Sequence, residues 1–173
     1  MKARFFEILF LVLAVSCSGG QSEGTKSDRI LSDLNDPNSD KVLVITHRGD
    51  WRNFPENSVP AIESVIRMGA DIVEIDLKMT KDSVLVLCHD KKLDRTTAGK
   101  GLVSDYTLSE IKSMRLKRAH GVVTDSLRMP TLEEALAVCK DRILVNLDHA
   151  WDYYDAAMAV VDRLDMSDQV LMK

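Results

Sequence analysis

Two short stretches of the sequence place ionisable side chains directly after runs of Val, Leu and Ile. The first ends in His47 and Arg48, and the second contains Glu74 and Asp76 and is soon followed by His89. Charged groups that follow buried strands are typical of sites at the carboxyl edge of a sheet. We therefore interpret these residues as a candidate active site.

The two carboxylates indicate a metal site. Glu74 and Asp76 are two residues apart on a predicted strand, so their side chains point to the same face. Like charges held together raise each other's pKa unless a cation lies between them, and hard oxygen ligands suit Mg²⁺ or Ca²⁺. Asp148, which follows a later apolar run, is the natural third ligand. The alternative is that Glu74 and Asp76 are ion-paired with Arg48 or Lys78 and are purely structural.

The histidines add groups that a structural ion pair does not need. Two imidazoles beside a metal, here His47 and His89, can serve as base and acid on opposite sides of a reacting centre. Arg48 offers a fork of donors that matches phosphate oxygens. A divalent cation, a guanidinium and two histidines together are suited to cleaving a phosphodiester.

The elements that carry these residues alternate between strand and helix, which indicates an α/β fold. Residues 41–46 predict a strand that is apolar enough to be buried on both faces. Ser58 predicts the N-cap of a helix that ends at Gly69, and residues 71–79 predict the second strand. Further along we expect helices that begin at the capping boxes of Thr107 and Thr131, a strand over 142–147, a helix over about 151–164 and a strand from Val170.

The connection after the second strand is a hairpin in this interpretation. Only seven residues separate Asp76 from Val84, too few for a crossover helix, and residues 80–83 have turn composition. A two-residue loop places Glu74 opposite His89 on one face, whereas a three-residue loop shifts the pairing by one residue. In either register His89 lies within one step of the carboxylates.

Composition limits the possible functions. The chain has 173 residues, of which 45% are hydrophobic, enough for the core of one domain. Its formal net charge is −4, and no cluster of Lys and Arg indicates a nucleic-acid partner. Cys17, Cys88 and Cys139 fit neither a zinc spacing nor a disulfide framework, and the last two are expected in the core.

The N-terminal segment predicts export. Lys2 and Arg4 precede an apolar run over 8–15 that is too short to span a bilayer and is typical of a secretory signal. Residues 13–17 resemble a bacterial lipoprotein signal, which would make Cys17 a lipid anchor and the protein periplasmic or membrane-anchored. Ordinary signal cleavage nearby is the alternative. We thus predict a signal peptide over 1–17, a flexible linker over 18–40 and a single domain over 41–173.

A series of further motifs follows in a fixed order along the chain. They are His47-Arg48-Gly49, Pro55-Glu56-Asn57, Gly69-Ala70-Asp71, Glu74-Ile75-Asp76, Thr80-Lys81-Asp82, His89-Asp90, Leu93-Asp94-Arg95-Thr96-Thr97, Gly101, Thr107-Leu108 and Pro130-Thr131-Leu132-Glu133-Glu134. The series resembles the glycerophosphodiester phosphodiesterase family over about residues 42–148. The resemblance implies a TIM-type (β/α) barrel, here a partial barrel with a small β-hairpin insertion after the second strand. It also implies that the chain is an incomplete copy of a longer one.

The resemblance further implies roles for the site residues. Glu74 and Asp76 would bind the metal with a third ligand from the region of Asp148, and His47 and His89 would form the acid/base pair. Arg48 would hold phosphate. The expected reaction converts a glycerophosphodiester into an alcohol and glycerol 3-phosphate, and the expected partner is this small-molecule substrate.

Two more residues belong to the expected site. Glu56 would support it, directly or through Arg48. Trp51 would either line the substrate pocket or pack under its loop.

The chain departs from the family pattern at the fourth strand. The family often has Glu, one residue, then Lys, whereas this chain has Asn146-Leu147-Asp148-His149. We expect Asp148 to replace the Glu and Lys173 to supply the missing cation. Alternation along the strand places His149 opposite Asp148. Away from the site, His120 is expected to be a solvent-exposed loop residue.

Two other functions are compatible with these residues. One is a lipid phosphodiesterase like sphingomyelinase D or phospholipase D, whose site is similar. The other is a tethered binding protein for phosphorylated glycerol compounds that is catalytically dead because its barrel is incomplete.

Overall fold

The computed structural model describes residues 24–173. The predicted signal peptide and Cys17 lie outside this range. The helices are α1 (Lys26–Asn35), α2 (Val59–Met68), α3 (Leu108–Ser113), α4 (Leu132–Cys139) and α5 (Tyr154–Arg163). The strands are β1 (Ile45–His47), β2 (Ile72–Met79), β3 (Leu85–Leu87), β4 (Arg115–Lys117), β5 (Val123–Arg128), β6 (Leu144–Asp148) and β7 (Val170–Met172).

The main sheet has the order β1-β2-β6-β7, and all of these strands are parallel. Helices α2, α4 and α5 pack against it, and they connect successive parallel strands. This alternation is that of a TIM-type barrel, of which the chain forms a part. β3 pairs antiparallel with β2, and β4 and β5 form a separate two-stranded sheet. The predicted α/β fold with a hairpin after the second strand is confirmed, whereas the β4–β5 hairpin was not predicted.

The predicted helix boundaries are confirmed where capping residues define them. Ser58 accepts a hydrogen bond from the backbone N–H of Ala61, and Gly69 ends the helix with a φ of 90°. Thr107 and Thr131 both form complete capping boxes. The helix predicted over 151–164 instead begins as a 3₁₀ turn over Ala150–Tyr153 and continues as α5.

The hairpin between β2 and β3 has a three-residue loop. Thr80 N–H donates to Val84 O (2.9 Å), Ser83 N–H donates to Thr80 O (3.0 Å), and Ser83 has a φ of 61°. A type I turn followed by a left-handed residue is the usual geometry of a three-residue loop. Leu77 therefore pairs with Leu87, and the two-residue register that places Glu74 opposite His89 is wrong.

Two hydrophobic cores lie on either side of β3. Leu85 and Leu87 belong to the larger core between the main sheet and its helices. Val86 and Cys88 belong to a smaller core with Leu93, Val103, Ile111, Leu116 and Met129. Successive side chains of a strand point to opposite faces, so β3 is the wall between the two cores. We call residues 80–130, which contain the smaller core, the inserted segment. Cys139 lies in the larger core, so both described cysteines are buried as predicted.

The prediction that the first strand is buried on both faces is wrong. Val42 and Val44 are 83% and 53% exposed, and Ile45 is 59% exposed. The strand is shorter than predicted and lies at the edge of the sheet, where β2 is its pairing partner. An apolar sequence alone does not distinguish an edge strand from a central one.

The flexible linker predicted over 18–40 is wrong over residues 26–35, which form α1. Thr25 and Asp28 make a capping box that begins this helix. Ile30, which is 1% exposed, packs against Ile72 and Leu144 at the amino ends of their strands. Polar composition suggested a linker, but the capping box and an apolar stripe were sufficient for a packed helix.

No helix within residues 24–173 is long and apolar enough to cross a membrane.

Candidate active site

The predicted site residues meet at the carboxyl edge of the main sheet. His47, the last residue of β1, is in register with Glu74 of β2. Asp76 of β2 is in register with Asp148, the last residue of β6. Parallel pairing therefore aligns these four residues although they are widely separated along the chain.

Asp76 is the most deeply buried of these groups, with no exposed surface. Its Oδ2 accepts a hydrogen bond from Asn57 Nδ2 (2.7 Å), and its backbone N–H donates to Asn57 Oδ1 (3.1 Å). Arg48 Nε lies 3.3 Å from the same Oδ2. The other oxygen, Oδ1, is buried and has no hydrogen-bond partner among the described residues. A buried, unpartnered carboxylate oxygen is costly, and it marks a position where a cation fits.

A second acidic group and a histidine complete a possible ligand set. One ligand atom each from Asp76, Asp148 and His149 lie within 4.8 Å of one another. His149 was expected to lie opposite Asp148, and this prediction is wrong. Its φ of 62° ends the strand geometry, so alternation no longer determines where the ring points. The ring instead lies beside that of His89, with 6.5 Å between the centroids.

Glu74 lies next to this group and is also buried. Its Oε2 accepts a hydrogen bond from Arg48 N–H (3.0 Å) and lies 4.0 Å from His47 Nε2. Burial, and next the negative charge of Asp76, raise the pKa of Glu74 to about 7, and Asp148 adds to the rise. Three carboxylates therefore share a small region whose charge a cation would offset.

The turn after β1 holds Arg48 against these carboxylates. Arg48 and Gly49 both have positive φ values, 60° and 72°. A Cβ on Gly49 would lie 2.8 Å from the carbonyl carbon of Ala61, so this position requires glycine. The Arg48 side chain is mostly buried, and its Nη1 donates to Glu56 Oε1 (3.0 Å). The structure thus places Glu56 against the site through Arg48.

A chain of ion pairs continues from Glu56 to His89. Arg95 donates to both oxygens of Glu56 (2.5 and 2.9 Å) and to both oxygens of Asp90 (2.7 and 3.0 Å). Asp90 Oδ1 lies 2.7 Å from His89 Nδ1, and the hydrogen bonds from Arg95 hold the pKa of Asp90 well below its usual range. A charged Asp90 bonded to Nδ1 orients the imidazole and leaves its Nε2 for other contacts.

His47 and His89 lie on different sides of the carboxylates. His47 is beside Glu74 and its side chain is 65% exposed, whereas His89 is beside His149 and is partly exposed. The pairing of β3 with β2 ends where Cys88 N–H donates to Asp76 O (3.0 Å). Beyond this point, the alternation of side chains along a strand does not determine where the His89 ring lies. Trp51 is partly exposed, lines the cleft beside His47 and carries the Arg52 guanidinium over its ring.

Sequence reasoning assigned no role to Asn57, Arg95 or His149. Asn57 is buried with a φ of 55°, and it holds both the backbone and the carboxylate of Asp76. Both Asn57 and Arg95 lie in motifs of the family pattern. Buried carboxylates need hydrogen-bond donors, and this need is the signal by which the sequence could have identified the two residues. Lys173, expected near the site, has its Nζ 3.9 Å from Asp148 Oδ1, and its side chain is largely exposed.

Comparisons with known proteins identify one family to which this chain is similar. The model of the glycerophosphoryl diester phosphodiesterase family matches residues 47–173. A glycerophosphodiester phosphodiesterase of Caldanaerobacter subterraneus is 44% identical over 109 residues, which are 62% of this chain and 45% of that protein.

Two solved structures are also similar. A glycerophosphoryl diester phosphodiesterase of Parabacteroides distasonis is 33% identical with a TM-score of 0.75, and the match covers 84% of this chain and 51% of that one. A phosphodiesterase of Oleispira antarctica in complex with the product sn-glycerol-3-phosphate is 28% identical with a TM-score of 0.63, over 76% of this chain and 56% of that one. The chain spans about half the length of the relatives it matches. Because the family model matches well over half of the chain, this protein belongs to the glycerophosphoryl diester phosphodiesterase family.

Proposed function

We propose that this site hydrolyses glycerophosphodiesters to an alcohol and sn-glycerol 3-phosphate with the help of one divalent cation. The observation that carries the proposal is the buried Asp76 Oδ1, which has no hydrogen-bond partner within residues 24–173, on a carboxylate that is grouped with Asp148 and His149. Relatives with this activity in their names, and a similar structure that contains the product, support the choice of reaction.

The residues of the site fit a hard cation. Asp76 and Asp148 would provide oxygen ligands, with Glu74 or His149 as the third protein ligand. Mg²⁺ and Ca²⁺ both suit such a set. When bound, the cation supplies Lewis-acid polarisation of a phosphoryl oxygen and offsets the charge of the carboxylates.

The chain's own groups would do the remaining work. Arg48 is held in place by Glu56 and Asp76, and its Nη2 makes no hydrogen bond within residues 24–173, so it is free to donate to phosphate. His47 and His89 would be the acid/base pair, one activating the attacking hydroxyl and the other protonating the leaving alcohol. Trp51 would line the substrate cleft beside His47.

The direct test is release of glycerol 3-phosphate from glycerophosphocholine with Mg²⁺ or Ca²⁺ added and with EDTA as the control. We expect cation-dependent turnover that falls at least about a hundredfold in His47→Ala and in His89→Ala. Turnover that neither substitution affects would overturn the two-histidine mechanism. Binding without turnover would favour a binding protein, and activity on sphingomyelin alone would favour a lipid phosphodiesterase.

We also propose that the protein is exported and held at the membrane by a lipid on Cys17. The proposal depends on the sequence of residues 1–17 alone. In the expressing bacterium, the wild type should fractionate with membranes and Cys17→Ala should not. Equal fractionation of the two would contradict a lipid anchor.

A further inference from the structure

A second cavity lies between the turn after β1 and the β4–β5 hairpin. Its volume is about 290 Å³, and its walls include Trp51, Glu56, Arg95, Lys117, Arg118 and His120. None of the grouped ligands Asp76, Asp148 and His149 lines it. The cavity is therefore distinct from the proposed metal site, and the proposed mechanism gives no role to the cations of its hairpin wall.

The lining has an excess of positive charge. Glu56, the one carboxylate in it, is neutralised by ion pairs with both Arg48 and Arg95. Lys117 and Arg118 take part in no ion pair within residues 24–173, although Lys117 Nζ donates to the backbone oxygen of Asp94 (2.7 Å). Two cations without carboxylate partners within residues 24–173 at the wall of a cavity attract an anionic group.

The hairpin holds these cations in a defined position. Arg118 N–H donates to Val122 O (2.8 Å), and Gly121 N–H donates to Arg118 O (3.0 Å). The tip turns through two residues with positive φ, His120 at 69° and Gly121 at 82°. A closed turn of this kind fixes the backbone of Arg118 at the cavity wall.

The cavity adjoins the proposed active site. Trp51 lines both this cavity and the cleft beside His47. On the other side, Glu56 and Arg95 connect the cavity wall to Arg48 and to Asp90 through direct ion pairs. The cavity wall therefore adjoins Arg48, the proposed phosphate-binding residue, through Glu56.

We propose that this cavity is a subsite for the leaving alcohol and that it selects alcohols carrying a second anionic group, such as another phosphate. The inference rests on the proposed function, in which every substrate shares the glycerol phosphate half. The glycerol phosphate half has no charge apart from the phosphate that is cleaved. A separate cationic cavity therefore distinguishes substrates only by their leaving alcohols. Cationic alcohols such as choline would gain nothing from Lys117 and Arg118.

The test compares the binding of two diesters to the cation-loaded full chain by calorimetry. One is bis(glycerophospho)glycerol, whose leaving half carries a second phosphate, and the other is glycerophosphocholine. The His89→Ala background prevents turnover during the titration. Arg118→Glu reverses one charge of the lining, and Arg142→Glu, an exposed position at the opposite end of the sheet, is the matched control.

We expect the parent to bind the bis-phosphodiester about tenfold more tightly, since a charge-assisted hydrogen bond is worth about that factor. Arg118→Glu should remove the preference, and Arg142→Glu should retain it. If Arg118→Glu does not fold, as judged by circular dichroism, Arg118→Gln is used and should reduce the preference several-fold. Equal binding of the two diesters by the parent, or a preference that survives substitution of Arg118, would overturn the subsite alone. Failure to bind either diester would overturn the proposed function as well.

Discussion

The main sheet and the inserted segment contribute to the site in different ways. The sheet supplies Glu74, Asp76 and Asp148, whose positions follow from backbone pairing between β1, β2 and β6. The inserted segment supplies His89 and Arg95, which lie beyond the end of β3 pairing. Each region has its own hydrophobic core, with β3 as the wall between them.

The difference indicates how such a site is built. Strand register fixes Glu74, Asp76 and Asp148, the groups proposed to hold a cation, since backbone hydrogen bonds leave little freedom at the carboxyl edge of the sheet. His89, one of the two histidines of the proposed acid/base pair, is held instead by a chain of side-chain ion pairs in which Arg95 bridges Glu56 and Asp90. We therefore expect substitutions in the two regions to have different consequences.

The largest effect should come from the sheet. Asp76→Asn keeps the shape of the side chain but removes the charge beside the proposed cation, so diesterase activity should fall about 10³-fold. Asp125→Asn, at an exposed position on β5 of the inserted segment, is the control and should keep full activity. Steady-state kinetics at saturating Mg²⁺ measure the difference, and comparable activity in both variants would contradict the metal site.

The ion-pair chain should have the next largest effect. Arg95→Gln removes four charge-assisted hydrogen bonds to Glu56 and Asp90, and we expect kcat to fall about 10–100-fold, the usual cost of losing a group that orients a ligand. Cation affinity and the free energy of unfolding should change little, because the Arg95 side chain is about half exposed. Arg115→Gln, at an exposed position of β4, is the matched control. Equal kcat values for the two variants would show that the sheet alone orders the site.

The crowded carboxylates should affect stability when no cation is present. Because the pKa of Glu74 is raised to about 7, the folded state binds its proton more tightly than the unfolded state does. The contribution of Glu74 to the free energy of unfolding in EDTA should therefore be fully present below its unfolded pKa, near pH 4.5, and should fall by about 1–3 kcal/mol as the pH rises to 8. Urea denaturation of Glu74→Gln should lack this fall, whereas Glu63→Gln, on the surface of α2, should retain it. If the free energy of unfolding of Glu74→Gln had the same pH profile as that of the wild type, the assignment of this pH dependence to Glu74 would be contradicted.

The smallest effect should distinguish the two cores. Ile111→Val removes one methylene from the smaller core and should cost about 1 kcal/mol. Amide hydrogen exchange should accelerate within the inserted segment and stay unchanged in β2 and β6. Equal acceleration throughout would show that the two cores open as one unit.

Much of this arrangement was predictable because local rules determine it. The capping boxes at Thr107 and Thr131 and the left-handed Gly69 define helix ends without reference to the rest of the fold. The apolar runs before Glu74 and Asp148 identified the strands that align them.

The sequence-based predictions failed where tertiary contacts or a single backbone angle determine the position of a residue. Arg95 and Glu56 are 39 residues apart in the chain, and no local pattern pairs them. One left-handed residue, His149, redirected a side chain that alternation had placed elsewhere. The loop with Ser83 in a left-handed conformation selected one of two registers that the sequence left open. Polar composition also concealed the capping box that begins α1.

The central claim is that the carboxyl ends of β2 and β6 hold a catalytic cation. One diffraction measurement tests this claim directly. Crystals of the chain soaked in Mn²⁺, which substitutes for Mg²⁺, would be measured for anomalous scattering. The account predicts one strong peak within bonding distance of Asp76 Oδ1 and of an Asp148 oxygen. The account would be contradicted by a strong peak at another position, or by a crystal soaked to saturation with Mn²⁺ that shows no peak within bonding distance of Asp76 Oδ1.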